Sequence, residues 1–228
     1  MNTISTRQPW VSGVAAACLL ATACTVVLAT ACTVVPLEAD RASKALQGGA
    51  FDADRYVNAN WDSRARPDWT GRAKPLAQQV AAADADVAAA GKTFDGRQAG
   101  EGSPWTFVTI FDGRIAAIDR TRRAGRATLD VDGLARPVEV QIGPVVSGFV
   151  LRDSLPFIDF DDFPNQIAYA DAGRALTDKA LAGVGGATAG LKVGDTVRVT
   201  GVFPYAGRDK AIVVTPVSVA VVSGVTAG

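Results

Sequence analysis

Between Arg152 and Tyr169 the chain concentrates side chains that can do chemistry: Arg152, Asp153, Asp159, Asp161, Asp162, Asn165, Gln166 and Tyr169, interleaved with Phe157, Phe160 and Phe163. Planar amide, carboxylate and guanidinium groups beside aromatic rings suit a carbohydrate, whose hydroxyls they bond while a ring stacks on the sugar face. On that reading the ligand-binding set is Arg152, Asp153, Asn165, Gln166 and Tyr169. Two of Asp159, Asp161 and Asp162 could instead act as the acid and base of an envelope hydrolase, although such pairs are defined by distance in space, not by adjacency in sequence. The third reading is structural. Asp162 caps a helix, Arg152 pairs with an aspartate, and Asn165 and Gln166 bond to loop backbone.

The chain has no histidine, and its three cysteines, Cys18, Cys24 and Cys32, all precede the folded part. A Ser-His-Asp triad, a thiol nucleophile, a Cys/His zinc site and a stabilising disulfide are therefore excluded there. Carboxylate chemistry alone survives, and neither a cofactor nor a metal is expected.

The cysteines point to a different chemistry. Leu20-Ala21-Thr22-Ala23-Cys24-Thr25-Val26-Val27 is repeated at once as Leu28-Ala29-Thr30-Ala31-Cys32-Thr33-Val34-Val35, and no charged residue lies between Arg7 and Glu38. A short polar start, an apolar run and small residues before a cysteine form an export signal of the lipoprotein kind, with the cysteine thiol as the lipidated nucleophile. Both copies place Ala at −1, and in both Leu lies one position before the usual −3. Cleavage before Cys24 leaves a signal core of ordinary length, whereas Pro36, which ends the apolar run, favours Cys32. The alternative is an uncleaved anchor, since the run exceeds the ~20 residues that span a bilayer. It is, however, rich in Ala and Thr and poor in Leu, Ile and Phe.

Removing Arg7 from 23 basic and 23 acidic residues leaves the mature part with one surplus negative charge. Such a surface has no counterion-release drive towards nucleic acid, and no nucleic-acid partner is expected. The partner implied by the front end is a membrane, reached through the N-terminal lipid. Arg120, Arg122, Arg123 and Arg126 cluster around a turn and read as a solvated hairpin tip, with a phosphate or headgroup patch as the alternative.

The elements that must position these groups follow from periodicity. Glu38 to Gln47 reads as a short helix, and Asp52 or Asp54 caps a second that closes towards Pro67. Leu76, Val80, Ala83, Val87 and Ala90 form one apolar stripe, predicting a single helix from Pro75 to Ala90 that stops at Gly91. From Trp105 the period becomes two. Strands are expected at Trp105 to Phe111, Ile115 to Asp119, Arg126 to Val131 and Pro137 to Ile142, with Asp112-Gly113 and Asp132-Gly133 as turns. A helix over 162–182 follows, capped by Asp162 with Pro164 in its first turn. Val184 to Gly190 reads as a linker, before strands at Thr196 to Phe203 and Ala211 to Val222.

Three strands, a helix and two strands, with Trp105 to Phe111 as an extra strand or a split first one, match a small antiparallel OB-like β-barrel whose helix plugs one end. A β-sandwich or open α+β sheet is the alternative. The expected organisation is a signal peptide at 1–31 (or 1–23), a helical region at 32–104, the barrel at 105–222 and a tail at 223–228, an α+β fold overall.

The Gly143-Pro144 turn, Gly148-x-x-x-Arg152-Asp153, Phe160-x-Asp162-Phe163-x-Asn165-Gln166 and the Tyr169-Ala170 helix together carry a family resemblance. They resemble the central motif of an uncharacterised family of predicted periplasmic lipoproteins. The likeness runs from Cys32-x-Val34-Val35-Pro36 to Thr215-Pro216-Val217, and departs from the pattern in the doubled cysteine repeat and in Ser147 and Phe149. Members are often encoded beside sugar ABC transporters, so the resemblance implies a non-enzymatic accessory role with transporter components as partners. It also implies a periplasmic location, lipid-anchored. Thr, not Asp, follows either cysteine, which points to the outer membrane where there are two.

Overall fold

The computed structural model describes residues 51–146 and 148–222, which belong to one compact unit beginning at Phe51. The expected helix at Glu38 to Gln47, both candidate lipidation cysteines and the tail lie outside the described residues.

Helix α1 (Ala53–Asn60) starts where Asp52 accepts a bond from the Arg55 amide at 2.9 Å, as the sequence predicts. It does not end near Pro67. A π-helical turn, Trp61–Ala65, leads directly into α2 (Arg66–Arg72), with Pro67 in its first turn. Pro67 has no N–H for the carbonyl four residues back, and the turn ahead of it widens so that the Arg66 amide reaches the Trp61 carbonyl. A two-residue strand β1 (Lys74–Pro75) precedes α3 (Leu76–Ala85) and α4 (Val87–Thr93). The expected single helix is thus two. Asp86 adopts an extended conformation and its carboxylate accepts from the amides of Ala88 and Ala89, capping α4. Apolar periodicity passes through the break because the stripe on both sides faces one core. Gly91 lies inside α4, not at its stop, since a Cβ there would fall 2.3 Å from the Trp105 ring.

Among the described residues six strands, β1, β2 (Thr106–Asp119), β3 (Arg126–Asp130), β4 (Val138–Gln141), β5 (Thr196–Pro204) and β6 (Ile212–Val221), lie side by side in the order β1-β2-β3-β4-β6-β5, and pairing of β2 with β5 closes the last five into a barrel. Strand β4 (Val138–Gln141) runs parallel to β6 (Ile212–Val221), and the other barrel pairs are antiparallel. Asp112-Gly113 makes no turn. Strand β2 (Thr106–Asp119) runs straight through it, pairing with β5 (Thr196–Pro204) over its first part and β3 (Arg126–Asp130) over its last. The split first strand is the correct reading. Gly113 is needed because a Cβ would press within 3.0 Å of Leu129 and Val131, while Asp112 faces out to a two-bond pair with Arg198 across the strands. The Asp132-Gly133 turn is present, with Gly133 at φ +81° and the Leu134 amide bonded to the Val131 carbonyl.

Alternation along the strands makes two cores. Phe107, Ile115, Leu129, Val140, Val199 and Phe203 fill the interior, closed by Leu76, Val80 and Ala83 of α3. Val108 and Val202 point outward and pack under a helical layer that includes Trp69, Leu151, Leu155 and Leu176. That layer contains the helix joining the third and fourth barrel strands, α6 (Gln166–Ala189). It therefore lies on the outer face, while the helices contributing to the interior are α3 and, through Ala90, α4. The bounds expected for α6 also shift. It begins at Gln166, not Asp162, and runs through the supposed linker to Ala189.

Candidate functional site

The residues singled out between Arg152 and Tyr169 sit where α5 (Val150–Asp153), a 3-10 turn (Phe160–Asp162) and the first turns of α6 meet. The structure brings Arg152, Asp153 and Tyr169 together. Arg152 is 7% exposed, and its Nε and Nη2 donate to Asp153 Oδ1 at 2.8 and 2.7 Å. Nη1 donates to the Tyr169 carbonyl at 3.2 Å. The guanidinium also lies 3.6 Å from the Tyr169 ring centroid and 4.7 Å from that of Phe149. Stacking of this kind suits the flat, weakly hydrated Arg head and would be lost with Lys.

Burial pushes the Asp153 carboxyl above its ordinary pKa, against the lowering effect of its two Arg152 bonds. The Tyr169 phenol is likewise raised by burial. These groups clamp α5 to α6. A second clamp holds α5 to α2: Trp69 Nε1 donates to Ser154 Oγ at 2.9 Å, and Arg72, itself paired with Asp68, donates to the Ser154 carbonyl at 2.6 Å.

Asn165 and Gln166 do not join that cluster. Asn165 Oδ1 accepts from the Ala168 amide at 2.9 Å and is the helix cap that sequence reading assigned to Asp162. Gln166 is exposed in the first turn. Asp159 and Asp162 form a reciprocal capping box around the 3-10 turn, with Asp159 also 3.7 Å from Arg97. Asp161 is exposed beside them. The aromatic residues form a continuous chain. Phe51, Tyr56, Phe163, Tyr169 and Phe160 have successive ring centroids 5.3–5.6 Å apart.

Open space lies elsewhere, along the second half of α6. One cleft of about 470 Å³ is lined by Arg120, Gly143, Pro144, Asp178, Gly185 and Thr188. Arg120 there is no solvated tip. Its Nη2 donates to the Thr188 carbonyl at 2.7 Å and lies within reach of those of Ala189 and Leu191, stabilising the carbonyl end of α6. Arg126 pairs with Glu139, and Arg120, Arg122 and Arg123 are the exposed members of the cluster. The other cleft, about 480 Å³, lies between the Trp61 π-turn and strands β5 and β6. It is bordered by Arg66, Thr70, Gly183, Thr200 and Ser218. Sequence reading missed these residues. The available signals were Pro216 inside a strand, which marks an edge or bulge, and a glycine run whose helical state propensity does not reveal.

Among the described residues there is no cluster of His, Cys, Asp and Glu that could hold a metal ion, and no helix is long and apolar enough to cross a membrane.

Comparison with known proteins agrees with the barrel. The chain is similar over residues 22–220 to the family described as predicted periplasmic lipoprotein (DUF2291). A crystal structure of an OB-fold protein from Thermotoga maritima superposes with a TM-score of 0.58 at 16% identity, covering 75% of this chain and 99% of that one. At that identity the likeness is one of fold. No curated protein matches the chain.

Proposed function

Because the chain belongs to the DUF2291 family of predicted periplasmic lipoproteins, we propose that it is a lipid-tethered, non-enzymatic accessory protein of a carbohydrate ABC transport system. The observation that carries this reading is the state of its densest polar block. Arg152 and Asp153 are buried against one another and Tyr169, and Asp159 and Asp162 cap their own turn. Groups held in this way fix helices in place. They are not poised around an open cleft as an acid–base pair must be, so the geometry lends the hydrolase reading no support.

Tethering through Cys24 or Cys32 places the domain beside the membrane, and Thr after either cysteine supports outer-membrane sorting where there are two membranes. A barrel with clefts on its outer helical layer suits a protein that binds a small ligand or a transporter component. The test is uptake of radiolabelled pentoses and hexoses by a strain lacking the gene. Uptake of at least one sugar falls, wild-type protein restores it, and a variant with Cys24→Ala and Cys32→Ala does not. Unchanged uptake of every sugar would remove the transport reading. Mass spectrometry of the mature N-terminus identifies the lipidated cysteine.

A further inference from the structure

Two departures from regular backbone and one helical glycine converge on the 480 Å³ cleft beside Trp61. On one wall the helical layer widens into the π-turn Trp61–Ala65, a form that is rare and recurs at functional sites. On the opposite wall the β5–β6 register slips: Thr200 pairs with Ser218 but Gly201 pairs with Pro216, leaving Val217 as an extra residue. The bulge lets Val217 pack on the outer apolar layer while Ser218, next in the chain, also borders the cleft. Along the third side α6 carries Gly183, where a Cβ would meet nothing within 4 Å. A glycine inside a helix is destabilising by roughly 0.5–1 kcal/mol relative to Ala, and here no neighbour requires it. What these features share is the open volume.

The lining selects a ligand class. It offers Trp61 (8% exposed), the hydroxyl-bearing Thr70, Thr200 and Ser218, and the apolar Val217 and Val219. Among the described residues the one charged lining group is Arg66, already bonded to Asp62 at 2.8 Å, and no carboxylate among them lines the space. Hydroxyl groups both donate and accept, and a partly apolar wall that includes an aromatic residue suits a molecule having one apolar face. The volume lies within the range of about 300–1,000 Å³ typical of small-molecule sites.

We propose that this cleft binds a neutral mono- or disaccharide, with Trp61 against the sugar's apolar face and Thr200 and Ser218 bonding its hydroxyls. The proposal rests on the binding-protein reading above and gives it a place and a ligand class.

The full-length lipidated protein in detergent is tested by saturation-transfer NMR with D-glucose, D-xylose and maltose, and with D-glucuronate as the charged control. At least one neutral sugar shows transfer and glucuronate binds more weakly. Gly183→Leu, which fills the cleft, raises Kd at least about tenfold without lowering Tm. Ser218→Ala and Thr200→Val each raise Kd about two- to tenfold, the loss of one hydrogen bond. Absence of transfer from every neutral sugar, tighter glucuronate binding, or wild-type affinity in Gly183→Leu overturns the proposal. The two readings fail separately. Sugar binding in a strain whose uptake ignores the deletion removes the transport role and keeps the cleft, whereas lost uptake without sugar binding does the reverse.

Discussion

The two halves of α6 are built to opposite specifications. In the first half Gly173 is a contact residue: a Cβ there would lie 2.7 Å from the Phe149 ring, and Arg152, Phe149 and Tyr169 interlock around it. In the second half Gly183, Gly185 and Gly186 meet nothing within 4 Å, and clefts of about 470 and 480 Å³ are lined by residues of that half. The same residue type thus creates close packing in one place and empty space in the other. What differs is the partner: the Phe149 ring against Gly173 in the first half, and, among the described residues, no side chain within reach of a Cβ at Gly183 in the second.

The contrast can be broken most severely at Arg152. Arg152→Met leaves Asp153 buried without its partner and removes the stack on Tyr169, and a loss of roughly 3 kcal/mol is expected in urea unfolding. A loss below about 1 kcal/mol would show that the clamp is not what fixes α5 to α6. Gly173→Ala is next. It forces Phe149 aside, as overpacked core sites do, and lowers stability by about 1–3 kcal/mol. Gly183→Ala on the same helix has the opposite sign, raising stability by roughly 0.5–1 kcal/mol through helix propensity alone. Equal signs for the two glycine variants would erase the distinction between the halves.

The smallest effect is in protonation. Asp153, raised by burial, holds its proton to higher pH in the folded chain than in the unfolded one. Its contribution therefore makes the fold less stable as pH rises from the ordinary Asp value of about 3.9 to its own higher value. Asp112 behaves in the opposite way. Bonds from Arg198 lower its pKa, so its contribution is present above the ordinary value and is lost as pH falls through the lowered one. Carbonyl-resolved NMR titration should find Asp153 above and Asp112 below the ordinary value, and Arg198→Ala should bring only Asp112 back.

Much of the barrel is legible in the sequence because two-residue alternation is a local signal. Phe107, Val197, Val199 and Phe203 mark their own inward faces, and the Asp132-Gly133 turn carries its glycine at positive φ. Asp112-Gly113 misleads for the same local reason. The dipeptide is a good turn, and only its pairing with Val197 and Arg198 of β5 shows why it stays extended. In the candidate site, the Arg152–Asp153 pair is foreseeable from adjacency, while the capping role passes from Asp162 to Asn165 because a 3-10 turn is interposed. The cleft at Trp61 was not legible. Its walls come from α2, α6, β5 and β6, and no single stretch of chain contains the pattern.

Residue identity and local pattern are enough for the doubled cysteine repeat, the exclusion of histidine and thiol chemistry from the folded part, the strand alternation and the strand–helix order of an OB-type fold. Each depends on residue identity or on neighbours a few positions apart. Long-range packing sets the rest: Val184 to Ala189 is helix, α6 lies outside the barrel while α3 and α4 reach its interior, and the polar block closes on itself. Those outcomes depend on which distant surfaces meet. Burial of Leu176 and Ala180 against Val108 and Val202 is available only once the barrel exists, and most helical stability in proteins comes from such packing rather than propensity.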